Sequence, residues 1–153
     1  MLYDAACALR MVAGAIVSAR RLGESNMDAR LYLTIASIIA ILYGIAFVLL
    51  PGNTILLFGG PPEVHVTLNL QFFGSGLLGL GVIGWFARDF RDWDAVRGVL
   101  IGYAIVDVIG GLINIWATMQ GLLNSLAWSS TAVYALLLIG ALYCLSGGER
   151  RAT

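Results

Sequence analysis

Residues 31–50 read LYLTIASIIAILYGIAFVLL, twenty residues without a charge, closed by Pro51-Gly52-Asn53. At 1.5 Å per residue a helix of this length covers about 30 Å, the thickness of a bilayer hydrocarbon core. Hydrocarbon offers no partner to a backbone N–H or C=O, so such a run must satisfy those groups internally, as a helix does. The stretch therefore reads as a transmembrane helix.

The rest of the chain repeats the pattern. Residues 67–86, 96–119 and 122–145 form three further apolar runs, and the third contains one acid, Asp107. Of the 153 residues, 59% are hydrophobic and 12% charged, and the mean hydropathy is +0.87. A soluble globular domain carries about 25% charged residues, so that class is excluded. The expected architecture is all-α: one polytopic domain, a four-transmembrane-helix bundle over residues 31–146, with an extension at 1–30 and a tail at 147–153. The connection at 120–121 is so short that spans three and four must be antiparallel neighbours.

Orientation follows from the cations. All nine are arginines, and arginine near a span end is retained in the cytoplasm. Arg20, Arg21 and Arg30 precede span one, Arg88, Arg91 and Arg97 join spans two and three, and Arg150 and Arg151 follow span four. Residues 51–66 and 120–124 contain none. The expected topology is N-in/C-in, with both termini cytoplasmic, in a bacterial inner (cytoplasmic) membrane. Trp85, Phe90 and Trp93 flank the arginine-bearing loop and Trp116 and Trp128 the opposite end, as amphipathic rings at headgroup depth do. Met27-Asp28-Ala29-Arg30 reads as a natural start, which leaves open whether residues 1–26 belong to the native protein. Arg10 interrupts their apolar stretch, unlike a secretory signal. Leu2, Ala5, Ala6, Leu9, Val12, Ala13 and Ile16 recur at helical spacing, so that segment is read as either an interfacial helix or disordered.

Asp107 lies near the middle of span three, where an ionised carboxylate costs roughly 2.5 to 3.5 kcal/mol on insertion scales. The expectation is a neutral carboxyl hydrogen-bonded to a neighbouring helix. At 100° per residue, Tyr103, Asp107, Gly110, Asn114 and Thr118 share one stripe, expected to face protein. Tyr134 on span four, Ser75 on span two and Tyr43 on span one are candidate partners of Asp107 at similar depth. One reading is a proton- or solute-binding site; the other is interhelical glue. A lone acid makes a poor proton relay, which needs successive sites.

Gly98 and Gly102 form a Gly-x-x-x-Gly on the face of span three nearly opposite Asp107, and Ser75 and Gly79 a small-x-x-x-small pair on span two. These are candidate helix-packing positions, which would make span three the centre of the bundle. His65, the one histidine, is read as an interfacial polar residue, with a pH-sensitive contact to Glu63 or axial ligation of a haem or chlorophyll-type ring as sharper options. Cys7 and Cys144 lie on the cytoplasmic side of the expected topology, so no disulfide is expected, and no metal site. The segment 54–60 (TILLFGG) is too apolar for a free loop and too short to span.

No catalytic arrangement emerges: no histidine near a nucleophile, no paired carboxylates within one span, no phosphate loop. No cofactor is expected. Residues 88–94 (RDFRDWD) alternate charge sign, which argues against nucleic acid or strongly anionic lipid as a partner. The proline turn, the short apolar segment and the glycine-rich span ending Gly84-Trp85-Phe86-Ala87-Arg88 resemble, over residues 31–146, small uncharacterised four-helix bacterial membrane proteins. The resemblance implies a fold and a membrane address without an activity. The small multidrug exporters also have four spans, but they carry an acid in the first, and span one here has none. The leading expectation is a non-enzymatic protein that packs against itself or within a larger membrane complex. A solute or proton-coupled carrier centred on Asp107 is the alternative, and an accessory subunit binding a quinone, carotenoid or other pigment is the third.

Overall fold

The computed structural model describes residues 28–149. The readings made for residues 1–26 lie outside the described residues, as does the tail from 150 onward. Five helices and no strands occur among the described residues: α1 (Asp28–Leu49), α2 (Pro51–Leu57), α3 (Val64–Ala87), α4 (Trp93–Met119) and α5 (Ala127–Glu149). Four of them, all but α2, are long and apolar enough to cross a membrane.

Three of these four helices match the expected apolar runs with a turn or less of extension, but the fourth differs. Its helix begins at Ala127, not 122, because α4 ends in a Schellman turn. Gly121, at φ +72°, donates its N–H to Thr118 O (3.1 Å), and Leu122 donates to Ala117 O (3.0 Å). A left-handed residue at this position stops the helix however apolar the next residues are. Leu122, Leu123 and Leu126 extend the apolar run but belong to the connection. At its other end α5 continues to Glu149, into the residues expected to form the tail.

The apolar segment after span one is the short helix α2, at about 10 Å too short to span. Pro51 occupies its first turn, where a missing N–H costs nothing. It ends in a second Schellman turn around Gly59 (φ +84°), with Gly60 donating to Ile55 O (3.0 Å) and Gly59 to Leu56 O (3.1 Å). Asn124 sews the two turns together at the arginine-free end. Its backbone N–H donates to Phe58 O (2.8 Å), its side-chain amide donates to Leu57 O (2.8 Å), and its side-chain oxygen accepts from Leu126 N–H (3.0 Å) at the start of α5.

The centre of the bundle is α1 rather than span three. Of its most apolar 18 residues 39% are buried, against 22% in α4 and 11% in each of α3 and α5. The core runs through Tyr32, Leu33 and Ala36 of α1, Leu100 and Tyr103 of α4, and Ala141 and Cys144 of α5. Helix α4 has polar groups but, among the described residues, no close neighbour on its Gly98–Gly102 face, whereas α1 is flanked by residues of α3, α4 and α5.

Candidate functional site

Three helices meet at Tyr103. Its hydroxyl, on α4, donates to the carbonyl of Leu80 on α3 (3.0 Å) and lies 3.4 Å from the Ser37 hydroxyl on α1. Tyr103 is 1% exposed and Ser37 fully buried. The junction exists because Gly84 has no side chain: a Cβ there would fall on Tyr103 Oη and Ser37 Oγ. In lipid such interhelical hydrogen bonds contribute about 0.6 kcal/mol on average and up to about 1.7. They fix which helices meet and at what height.

The same logic runs along the α1–α3 crossing. A Cβ on Gly74 would lie 2.7 Å from Phe47 Cβ, and one on Gly81 2.7 Å from Ile41 Cγ1. Gly44 of α1 is equally closed by Leu78 and the Gly74 carbonyl. The close-packing residues of α3 are therefore Gly74, Gly81 and Gly84. Ser75 and Gly79, expected in that role, point elsewhere. Ser75 is exposed and donates to Phe72 O (2.7 Å), and a Cβ on Gly79 would meet nothing within 4 Å. Gly98 and Gly102 of α4 are likewise open.

Asp107 sits one turn beyond Tyr103 on the same face of α4, 5% exposed, and its Oδ2 is buried without a hydrogen-bond partner among the described residues. Tyr32 on α1, Tyr103 on α4 and Tyr134 on α5 all lie within electrostatic reach. Two glycines let these rings in: Gly140 of α5 lies under the Tyr32 ring, and Gly110 of α4 under the Tyr134 ring. Tyr32 also meets Tyr103 edge-on at 6.3 Å between centroids, and its hydroxyl is a second buried group without a hydrogen-bond partner. A buried polar group left unpaired costs about 1 to 3 kcal/mol. Two of them stand here, on helices packed into one core.

Of the three candidate partners of Asp107, Tyr134 lies within electrostatic reach of it, and Ser75 is exposed on α3. Tyr43 stacks edge-on against Phe47 (5.6 Å). Further along α4, Asn114 donates to Ala127 O (2.8 Å) and Thr131 Oγ1 (2.7 Å), binding α4 to the first turn of α5. Thr118 donates back to Asn114 O (2.7 Å) within its own helix. His65 is exposed in the first turn of α3.

Sequence reasoning missed Tyr32 and Ser37. Both lie in the first span, whose lack of charge drew the eye to length alone; their spacing with Leu33, Ala36 and Ala40, on one helical stripe, was the available signal. No protein-family model matches the chain, and no curated protein or solved structure is significantly similar to it.

Proposed function

We propose that this chain is a multi-pass protein of a bacterial inner membrane, with both termini cytoplasmic, that works without catalysis. It acts by helix packing, as a homo-oligomer or as a small subunit of a larger membrane complex. The observation that carries this reading is the division of the glycines. Gly44, Gly74, Gly81, Gly84, Gly110 and Gly140 each lie against a neighbour that a side chain would strike, whereas a Cβ on Gly76, Gly79, Gly98 or Gly102 would meet nothing within 4 Å among the described residues. An interior glycine costs a helix about 1 kcal/mol relative to alanine. The first set offsets that cost through close contact within the chain; the second set does so once another helix lies on it. The arginine distribution supports the orientation. Mass measurement of the protein in mild detergent tests the proposal. An assembly that Gly98→Leu and Gly102→Leu dissociate is expected, and a monodisperse wild-type monomer refutes it.

A second reading is favoured by the unpartnered Asp107 Oδ2: a small solute or proton-coupled carrier centred on that residue, with Tyr32, Tyr103 and Tyr134 around it. An intramembrane carboxyl held without a partner is available to a proton or to a donor group of a solute. Solute-coupled proton flux in liposomes, abolished by Asp107→Asn, is its expected signature. Absence of flux in the wild type, or unchanged flux in the variant, removes it.

A further inference from the structure

The arginine-bearing end of the bundle holds a cavity of about 400 Å³ between the start of α1 and the α3–α4 connection. Among the described residues its basic lining consists of Arg30, Arg88 and Arg91, with Asp89 as the one acid, so these residues carry a formal balance of two positive charges. Asp89 neutralises part of this set: its carboxylate lies 2.9 Å from an Arg30 terminal nitrogen and 3.5 Å from Arg88 Nε. The longer of the two is ion-pair distance only, and Arg88 Nε is buried with no hydrogen-bond partner among the described residues. The Arg88 guanidinium is held 3.5 Å over the Trp85 ring, which fixes its plane. The inner wall is apolar, with Leu33, Ala87 and Val96, all buried.

We propose that this cavity binds a phosphate group, with an anionic phospholipid headgroup as the expected bearer. A planar guanidinium fixed in position presents paired N–H donors matched to phosphate oxygens. The volume falls within the ordinary range of small-ligand sites, about 300 to 1,000 Å³. Trp85, Phe90 and Trp93 flank this end, where aromatic rings mark headgroup depth, so a lipid phosphate meets the arginines at their own level while its glycerol and acyl carbons meet the apolar wall. The alternating charges of residues 88–94 are no objection, because folding sorts them: Asp89 turns toward Arg30 and Arg88, and Arg91 joins the lining without an ion pair among the described residues.

The test is native mass spectrometry of the full chain in detergent, titrated with phosphatidylglycerol, with phosphatidylcholine as the zwitterionic reference. Phosphatidylglycerol should bind preferentially. Arg88→Gln should weaken it about tenfold, as loss of one charged hydrogen-bonding group does. Arg91→Gln, at an exposed position without a packing role, should weaken it several-fold with helicity unchanged. Asp89→Asn, which removes the internal counter-charge, should strengthen it. Displacement of phosphatidylglycerol by millimolar inorganic phosphate would assign the site to free phosphate, and retention would assign it to lipid; both support a phosphate site. Equal binding of phosphatidylglycerol and a diacylglycerol, which lacks the phosphate, with no uptake of inorganic phosphate overturns the proposal, as does unchanged affinity in Arg88→Gln and Arg91→Gln together.

Discussion

Gly84→Ala is the substitution that most directly loads the junction of α1, α3 and α4. The added methyl falls on Tyr103 Oη and Ser37 Oγ, so the tyrosine must move and release Leu80 O. Overpacking of a closed contact costs about 1 to 3 kcal/mol, and the lost hydrogen bond adds about 0.6 to 1.7. Better helix propensity returns at most about 1 kcal/mol. The net expectation is destabilisation by about 1 to 4 kcal/mol. Gly79→Ala is the internal control in the micelle-dispersed monomer, because its Cβ meets nothing within 4 Å among the described residues of the same chain and only the propensity term remains there, which makes that variant neutral or slightly more stable. The assay is reversible unfolding in mixed micelles at rising dodecyl sulfate, followed by far-UV circular dichroism. In a Tyr103→Phe background, where the struck hydroxyl is gone, the Gly84→Ala penalty should shrink by about 1 kcal/mol or more, a coupling of the size seen between touching residues. Equal stability of Gly84→Ala and Gly79→Ala, or a penalty indifferent to Tyr103→Phe, refutes the packing described for this junction.

Two further substitutions probe separate features. Asn114→Val removes the donors to Ala127 O and Thr131 Oγ1 and should cost about 1 to 2 kcal/mol in the same unfolding assay, with faster amide exchange in the first turn of α5. Gly121→Ala forces a Cβ into the left-handed region at φ +72° and should cost about 1 kcal/mol, less for Gly121→Asn, which tolerates that conformation. Amide exchange across residues 117–127 reports whether the damage is confined to that turn.

Four helices long and apolar enough to span were legible because hydrocarbon imposes one solution on any long uncharged run. The start of the fourth was not, because Leu122, Leu123 and Leu126 are apolar while the stop signal is a backbone conformation at Gly121. Tyr103, Asp107 and Asn114 stood out as polar residues inside apolar helices, and the structure places each against a neighbouring helix or within the core. The choice of face on α3 was not legible. That helix is apolar and glycine-rich on every side, so periodicity does not distinguish Gly74, Gly81 and Gly84 from Gly76 and Gly79; only the complementary surface of α1, with Gly44, Ser37 and Ile41, selects among them. The arginine cavity was hidden for a related reason: a charge sum along residues 88–94 is near zero, whereas pairing across space with Arg30 of α1 decides which charges are neutralised.

The topology on which the orientation, the headgroup-level cavity and the buried acid all depend is open to one direct measurement. In a chain carrying Cys7→Ser and Cys144→Ser, single cysteines are introduced as Glu63→Cys, at the arginine-free end, and Arg91→Cys, at the arginine-bearing end, both exposed positions. Intact bacterial cells with a permeabilised outer envelope are then treated with a membrane-impermeant maleimide. Labelling at position 63 in intact cells, and at position 91 only after the inner membrane is opened, is the expected result. Labelling of position 91 from outside, or equal labelling of both, contradicts the four-span arrangement with cytoplasmic termini.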